Sequence, residues 1–107
     1  MIETTYAEIL DKYLILCIKH DKIGGDHIKA QKEYFGQFID NQFSLEEIKL
    51  YEIHRELWDA ENYIRIAIED KDKELVFWMS KKICELNGQR NEIKNSLGAK
   101  ETKCYET

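Results

Sequence analysis

Arg90 is the residue whose placement says most about chemistry. It interrupts the apolar series Val76, Met79, Ile83, Leu86 and Ile93 at a position where a charge is rarely left unpaired. Carboxylates within reach are Glu56 and, if the first helix packs over this region, Glu8 or Asp11. Such a pair would fix helix order; the alternative is an anion site built from Arg90, Asn87 and Lys12. His54 lies beside the same seam, where it is expected to donate to Asn87 or to a carboxylate. The expected polar cluster is therefore Arg90, Asn87, Lys12, Glu8, Asp11 and His54.

Other chemistry is poorly supported by spacing. Glu52, Glu56 and Asp59 line one helical strip, and paired carboxylates can bind metal or exchange protons. A helical metal enzyme would need convergent carboxylates or Glu-x-x-His spacing on facing helices, and no Glu-x-x-His occurs, so the strip reads as a solvated face. His20, His27 and His54 have no ligand spacing among themselves. No serine or cysteine sits in a nucleophile motif, and Gly24-Gly25 lacks the lysine and following Ser or Thr of a phosphate loop. A magnesium-dependent nucleotide pyrophosphatase would carry both Glu-x-x-Glu and Glu-x-x-Asp strings; Glu8-x-x-Asp11 occurs, but the set does not. Catalytic residues, cofactor and metal ligands are accordingly expected to be none. Arg65 with Glu61 reads as an i, i+4 ion pair worth a few tenths of a kcal/mol.

The elements that must position these residues follow from periodicity. Leu50, Ile53, Leu57, Ala60, Ile64 and Ala67 step by three and four, as do Val76, Met79, Ile83, Leu86, Arg90, Ile93 and Leu97. With a reversal around residues 70 to 73, Ala60 faces Ile83 and Leu57 faces Leu86 in a long antiparallel hairpin of two helices. Ser44 with Glu47 is the capping box that opens it, and Asp72 caps its second helix, which ends near Gly98. Thr5 with Glu8 is another capping box and starts a helix that stops at Gly24-Gly25. Asp26 is expected to cap a helix over roughly 27–40, weakened at Gly36. The segment Asp40-Asn41-Gln42 reads as a turn, and residues 99–107 as a flexible tail unless Tyr105 docks. The fold class is all-α: four helices in an up-and-down arrangement, with residues 1–107 as a single domain.

The first helix is apolar around most of its circumference, through Ile9, Leu10, Tyr13, Leu14, Ile15, Leu16, Cys17 and Ile18. The hairpin covers one side only, so the other is expected to meet a second copy or a partner. The candidate interface is Tyr13, Leu14, Ile15 and Ile18, with Tyr51, Trp58, Phe77 and Trp78 as flanking aromatics of the hairpin.

Composition sets the outer limits. Charged residues make up 35%, proline is absent and glycines number five, as suits long helices. A net charge of −5 without a basic stripe argues against a nucleic-acid partner. The longest apolar run, Tyr13 to Ile18, is far short of the ~20 residues that span a bilayer, so no membrane role is expected. Cys17, Cys84 and Cys104 are odd in number without CxxC spacing, which fits a reduced, cytoplasmic setting.

The strings AEILDKYLILCIK, LYEIHRELWDAENYIR, NGQRNEIK and ETKCY resemble a family of short, mostly helical bacterial and phage proteins of unknown function. On that resemblance Glu8, Asp11, Lys12, Trp58, Glu61, Arg65, Asn87 and Arg90 fall on characteristic positions. The chain departs from the pattern at Leu14, Cys17, His54, Asn62 and Gly88-Gln89, which implies loss of part of any polar site the relatives hold. Taken together, a non-enzymatic helical interaction protein, acting as a homodimer or on a protein partner, is the leading expectation. A binder of a small anion or nucleotide comes second and the pyrophosphatase-like hydrolase third.

Overall fold

The computed structural model describes the backbone of residues 2–40, 42–98 and 102–105, and the side chains of 5–40 and 42–97. Its order is β1 (Ile2–Thr5), α1 (Tyr6–Lys22), α2 (Asp26–Gly36), α3 (Leu45–Glu69), α4 (Lys73–Gly98) and β2 (Thr102–Tyr105). The helical class and the hairpin of the last two helices are as the periodicity requires, and α3 and α4 pack most extensively.

Local chemistry sets the helix starts. The Thr5 hydroxyl accepts from the Glu8 amide at 3.2 Å, the Ser44 hydroxyl from the Glu47 amide at 3.2 Å, and the Asp72 carboxylate from the Leu75 amide at 3.1 Å. The hairpin turn closes α3 with the Asp72 amide donating to the Ala67 carbonyl at 2.9 Å and the Lys71 amide to Ile68 at 3.1 Å. This is a Schellman closure, with Lys71 at φ 57° where glycine is usual. Gly24 and Gly25, at φ 76° and 107°, carry the chain from α1 into α2.

Two helix boundaries differ from expectation. The residue ahead of α2 is Gly25 and makes no side-chain cap, so Asp26 lies inside the first turn, where its charge faces the positive end of the helix dipole. The helix then ends at Gly36 rather than Asp40, because the chain tightens there: Phe38 and Ile39 amides bond to Phe35 and Gly36 carbonyls at 3.1 Å each. In the tail, Thr102–Tyr105 pairs antiparallel with Ile2–Thr5, Ile2 opposite Tyr105, so Tyr105 lies in the docked alternative to a flexible tail. Residue 41 of the expected turn, and 99–101 and 106–107 of the tail, lie outside the described residues.

The core has two parts. Ala7, Leu10 and Leu14 of α1 pack with Leu50 and Leu97 at the open end of the hairpin. Ile53, Leu57 and Leu86 form the seam above them. Ala60 and Ala67 are also buried in that seam, while Val76, Met79, Ile83 and Ile93 of α4 are only half-buried. The molecule is correspondingly long, 45 × 32 × 25 Å with a radius of gyration of 15.5 Å, against about 13 Å for a compact chain of this length.

α2 corrects the expectation that α1 needs a second copy to cover it. It lies on α1 with half-buried Ile28 and Phe35, while Phe38 and Ile39 follow in the turn beyond it. Gly36 lets the Tyr13 ring come within 3.1 Å of where a side chain would begin. Leu14, against Leu50 and Leu97, and Ile18, beside Leu57, are buried on the hairpin side, while Tyr13 on the α2 side and Ile15 are half-buried, so these four do not form one free face.

Candidate functional site

α1 runs parallel to α3 and antiparallel to α4, which brings Glu8 and Asp11, one turn apart, opposite Lys94 and Arg90, one turn apart. Asp11 is the hub, and only 3% of it is exposed. Arg90 grips its carboxylate with two bonds, Nε to Oδ1 at 3.0 Å and Nη2 to Oδ2 at 2.6 Å. His54 Nε2 donates to Oδ1 at 2.7 Å. Lys94 Nζ stands 3.7 Å from Oδ2 and 2.9 Å from Glu8 Oε1, tying the second acid into the network.

Burial pushes the Asp11 carboxyl up, but the His54 and Arg90 hydrogen bonds and their charges outweigh it and hold the group well below the usual carboxylate range. The same bond to Asp11 raises Arg90 against the opposing effect of burial, with Glu8 and Glu61 adding attraction. Asp11 thus stays ionised and acceptor-only, with donors on both oxygens. A carboxylate so held is a poor proton acceptor and a good structural anchor.

Of the six residues expected to cluster, Arg90, Asp11, Glu8 and His54 meet in this network. Lys12 does not: its ammonium lies 5.9 Å from the centroid of the Phe35 ring on α2. Asn87 lies one turn along α4 and lines a cavity instead. The partner of His54 is the carboxylate of Asp11 rather than Asn87. Arg65 is also corrected, since it donates to Asn62 Oδ1 and not to Glu61. Lys94 was not singled out in the sequence; its signal, an i+4 step from Arg90 matching the Glu8-Asp11 step, becomes visible only once α1 is set against α4.

Two surfaces flank this network. On the α1 side, a cavity of about 240 Å³ opens above Arg90 and His54, walled by Ile15, Ile18, Leu57 and Trp58 with Lys19, Glu61 and Asn87 at its edge. On the opposite side, a groove between α3 and α4 has Lys49, Glu52, Arg55, Glu56 and Asp59 along one wall and Lys81, Lys82, Glu85 and Gln89 along the other. It leads to Tyr63 and Trp78, which are 58% and 59% exposed, at the end of the hairpin that α1 does not reach. Ile66, Ile68 and Phe77 are exposed there too. Among the candidate interface residues, Tyr51 instead packs on the core and Trp58 lines the cavity, leaving Phe77 and Trp78 open.

Among the described residues, no group of three His, Cys, Asp or Glu side chains converges to hold a metal ion, and no helix is long and apolar enough to cross a membrane. The chain matches no family model, no curated protein and no solved structure.

Proposed function

We propose that this is a non-enzymatic interaction protein that self-associates through the uncovered face of its α3–α4 hairpin. The observation that carries this is the groove ending in Tyr63 and Trp78, with Ile66 also exposed, large apolar side chains left open on a two-helix arm. A second hairpin laid in that groove completes a four-helix bundle, the usual way a helical pair buries its second face. Both walls carry mixed charges, Glu52, Glu56 and Asp59 with Lys49 and Arg55 on α3 and Lys81 and Lys82 with Glu85 on α4, and the acidic excess of the first meets the basic excess of the second when a two-fold axis runs along the hairpin and places α3 against the partner's α4. The buried state of Asp11 supports a scaffold rather than a catalytic role for the polar network. A cytoplasmic setting fits the unpaired thiols of Cys17 and Cys84, and membership of the bacterial and phage family is part of the same reading.

Light scattering after size exclusion, from about 1 to 200 µM, spanning the affinities of ordinary homodimers, tests it. The expected mass is twice 12.8 kDa. Tyr63→Glu with Trp78→Glu, both at exposed positions and setting like charges against each other across the seam, should give a monomer with an unchanged helical spectrum. A wild-type monomer throughout the range, or a dimer that survives the double change, refutes the proposal.

A further inference from the structure

The cavity on the α1 side is separate from the self-association face and has polar groups that the fold does not use. The side chains of Lys19 and Asn87 pair with nothing among the described residues, and Glu61 forms no ion pair among them, although its charge attracts Arg90. These groups share the cavity lining with the apolar side chains of Ile15, Ile18, Leu57 and Trp58. Arg90, oriented by Asp11 through Nε and Nη2, keeps 28% of its side chain exposed. Cations and an amide donor thus stand beside one carboxylate over a hydrophobic pocket.

We infer that this cavity binds a free α-amino acid with an apolar or aromatic side chain. The ligand carboxylate is met by Arg90, Asn87 and Lys19, its ammonium by Glu61, and its side chain by the apolar lining. At about 240 Å³ the space is smaller than the ~300–1,000 Å³ of drug-sized sites, which suits a ligand of about a dozen heavy atoms. The lining also balances in charge: Lys19 and Arg90 against Glu61 and the Asp11 behind Arg90. A lone carboxylate or a lone amine therefore leaves one partner unmet, with the desolvation cost that implies.

The test is a backbone-amide NMR titration of the intact chain with L-phenylalanine, L-leucine, 3-phenylpropionate and phenethylamine. The two amino acids should give saturable shifts at Trp58, Asn87 and Arg90 with a dissociation constant of about 0.1–1 mM, the range for so small a ligand. The two half-charged analogues should bind at least about tenfold more weakly, the scale of one lost charged hydrogen bond. Glu61→Gln, at an exposed position, should weaken phenylalanine by about the same factor and leave 3-phenylpropionate unchanged. No saturable shift up to about 10 mM, ten times the weakest expected constant, overturns the inference. So do shifts confined to other surfaces, equal binding of the analogues, or an unchanged phenylalanine affinity in the Glu61 variant.

Discussion

Replacing Arg90 by Met tests the network most directly, because the change removes two charge-assisted bonds from a carboxylate that has almost no access to water. Hydrogen bonds to charged groups contribute about 1.5–3 kcal/mol each, and breaking a buried pair by removing one partner costs about 3–5 kcal/mol. Two features of the structure lower that figure. Arg90 keeps 28% of its side chain in solvent, and Lys94, 3.7 Å from Oδ2, can close on the orphaned oxygen. His54, at 2.7 Å from Oδ1, is a further donor that the change does not remove. The expected loss is therefore about 2–4 kcal/mol, a large part of the 5–15 kcal/mol typical of a whole domain.

The assay is guanidinium unfolding of four proteins: wild type, Arg90→Met, Asp11→Asn and the double variant. Asparagine keeps an acceptor for His54 but carries no charge, so the double variant should regain most of the loss and show a coupling of about 1.5–3 kcal/mol. Acid unfolding gives an independent reading. The folded Asp11 carboxyl lies below its unfolded value of about 3.9, so its contribution is present above that pH and is lost as pH falls through the depressed folded value. Wild type should show this loss of stability in the acid range and Arg90→Met much less of it. A single variant within about 0.5 kcal/mol of wild type, or additive single changes, would show that the ion pair is solvated and the network idle.

Three further changes probe the frame. Lys71→Gly should stabilise by about 1 kcal/mol in thermal melts, because Lys71 occupies the left-handed position of the hairpin closure at φ 57°; no gain would mean that the turn is not fixed as described. Leu50→Ala, at 0% exposure, should cost about 2–5 kcal/mol, whereas Leu45→Ala, at 86% exposure, should stay within about 0.5 kcal/mol. Gly36→Val should cost about 1–3 kcal/mol, since its first carbon would start 3.1 Å from the Tyr13 ring and push α2 off α1; a neutral result would mean that α2 is not seated there.

What could be read from the sequence was what is written locally. The capping boxes at Thr5 and Ser44 and the cap at Asp72 need only residues three apart, and the α3–α4 seam needs only a period. The partner of Arg90 could be narrowed to Glu56, Glu8 or Asp11 but not chosen, because the choice depends on how α1 is placed over residues far away in the chain. Lys94 carries no local signal for the same reason. The pairing of Ile2–Thr5 with Thr102–Tyr105 joins the two ends of the chain and leaves no local alternation long enough to notice. The cover that α2 gives to α1 was underestimated because α2 has no fully buried residue of its own. It works through half-buried aromatics and the missing side chain at Gly36.

The polar network also answers a difficulty created by the composition of α1. A helix apolar nearly all round gains similar burial at several rotations and at shifts of one turn, since the hydrophobic effect has no direction. Asp11 removes that freedom. A shift of one turn would bury it away from Arg90 and His54, whereas the observed register gives both its oxygens donors and gives Glu8 to Lys94. On this account the network selects an arrangement at some cost in stability. Asp11→Leu combined with His54→Leu and Arg90→Met should then melt at the same temperature or higher, because apolar groups of similar volume often stabilise by about 1–4 kcal/mol when they replace buried ions. The same triple variant should show doubled or broadened amide signals along α1, from Ala7 to Ile18, while the α3–α4 seam keeps single sharp ones. A triple variant with one sharp signal for every α1 residue, at wild-type positions outside the substituted turn, would show that apolar packing alone sets the register.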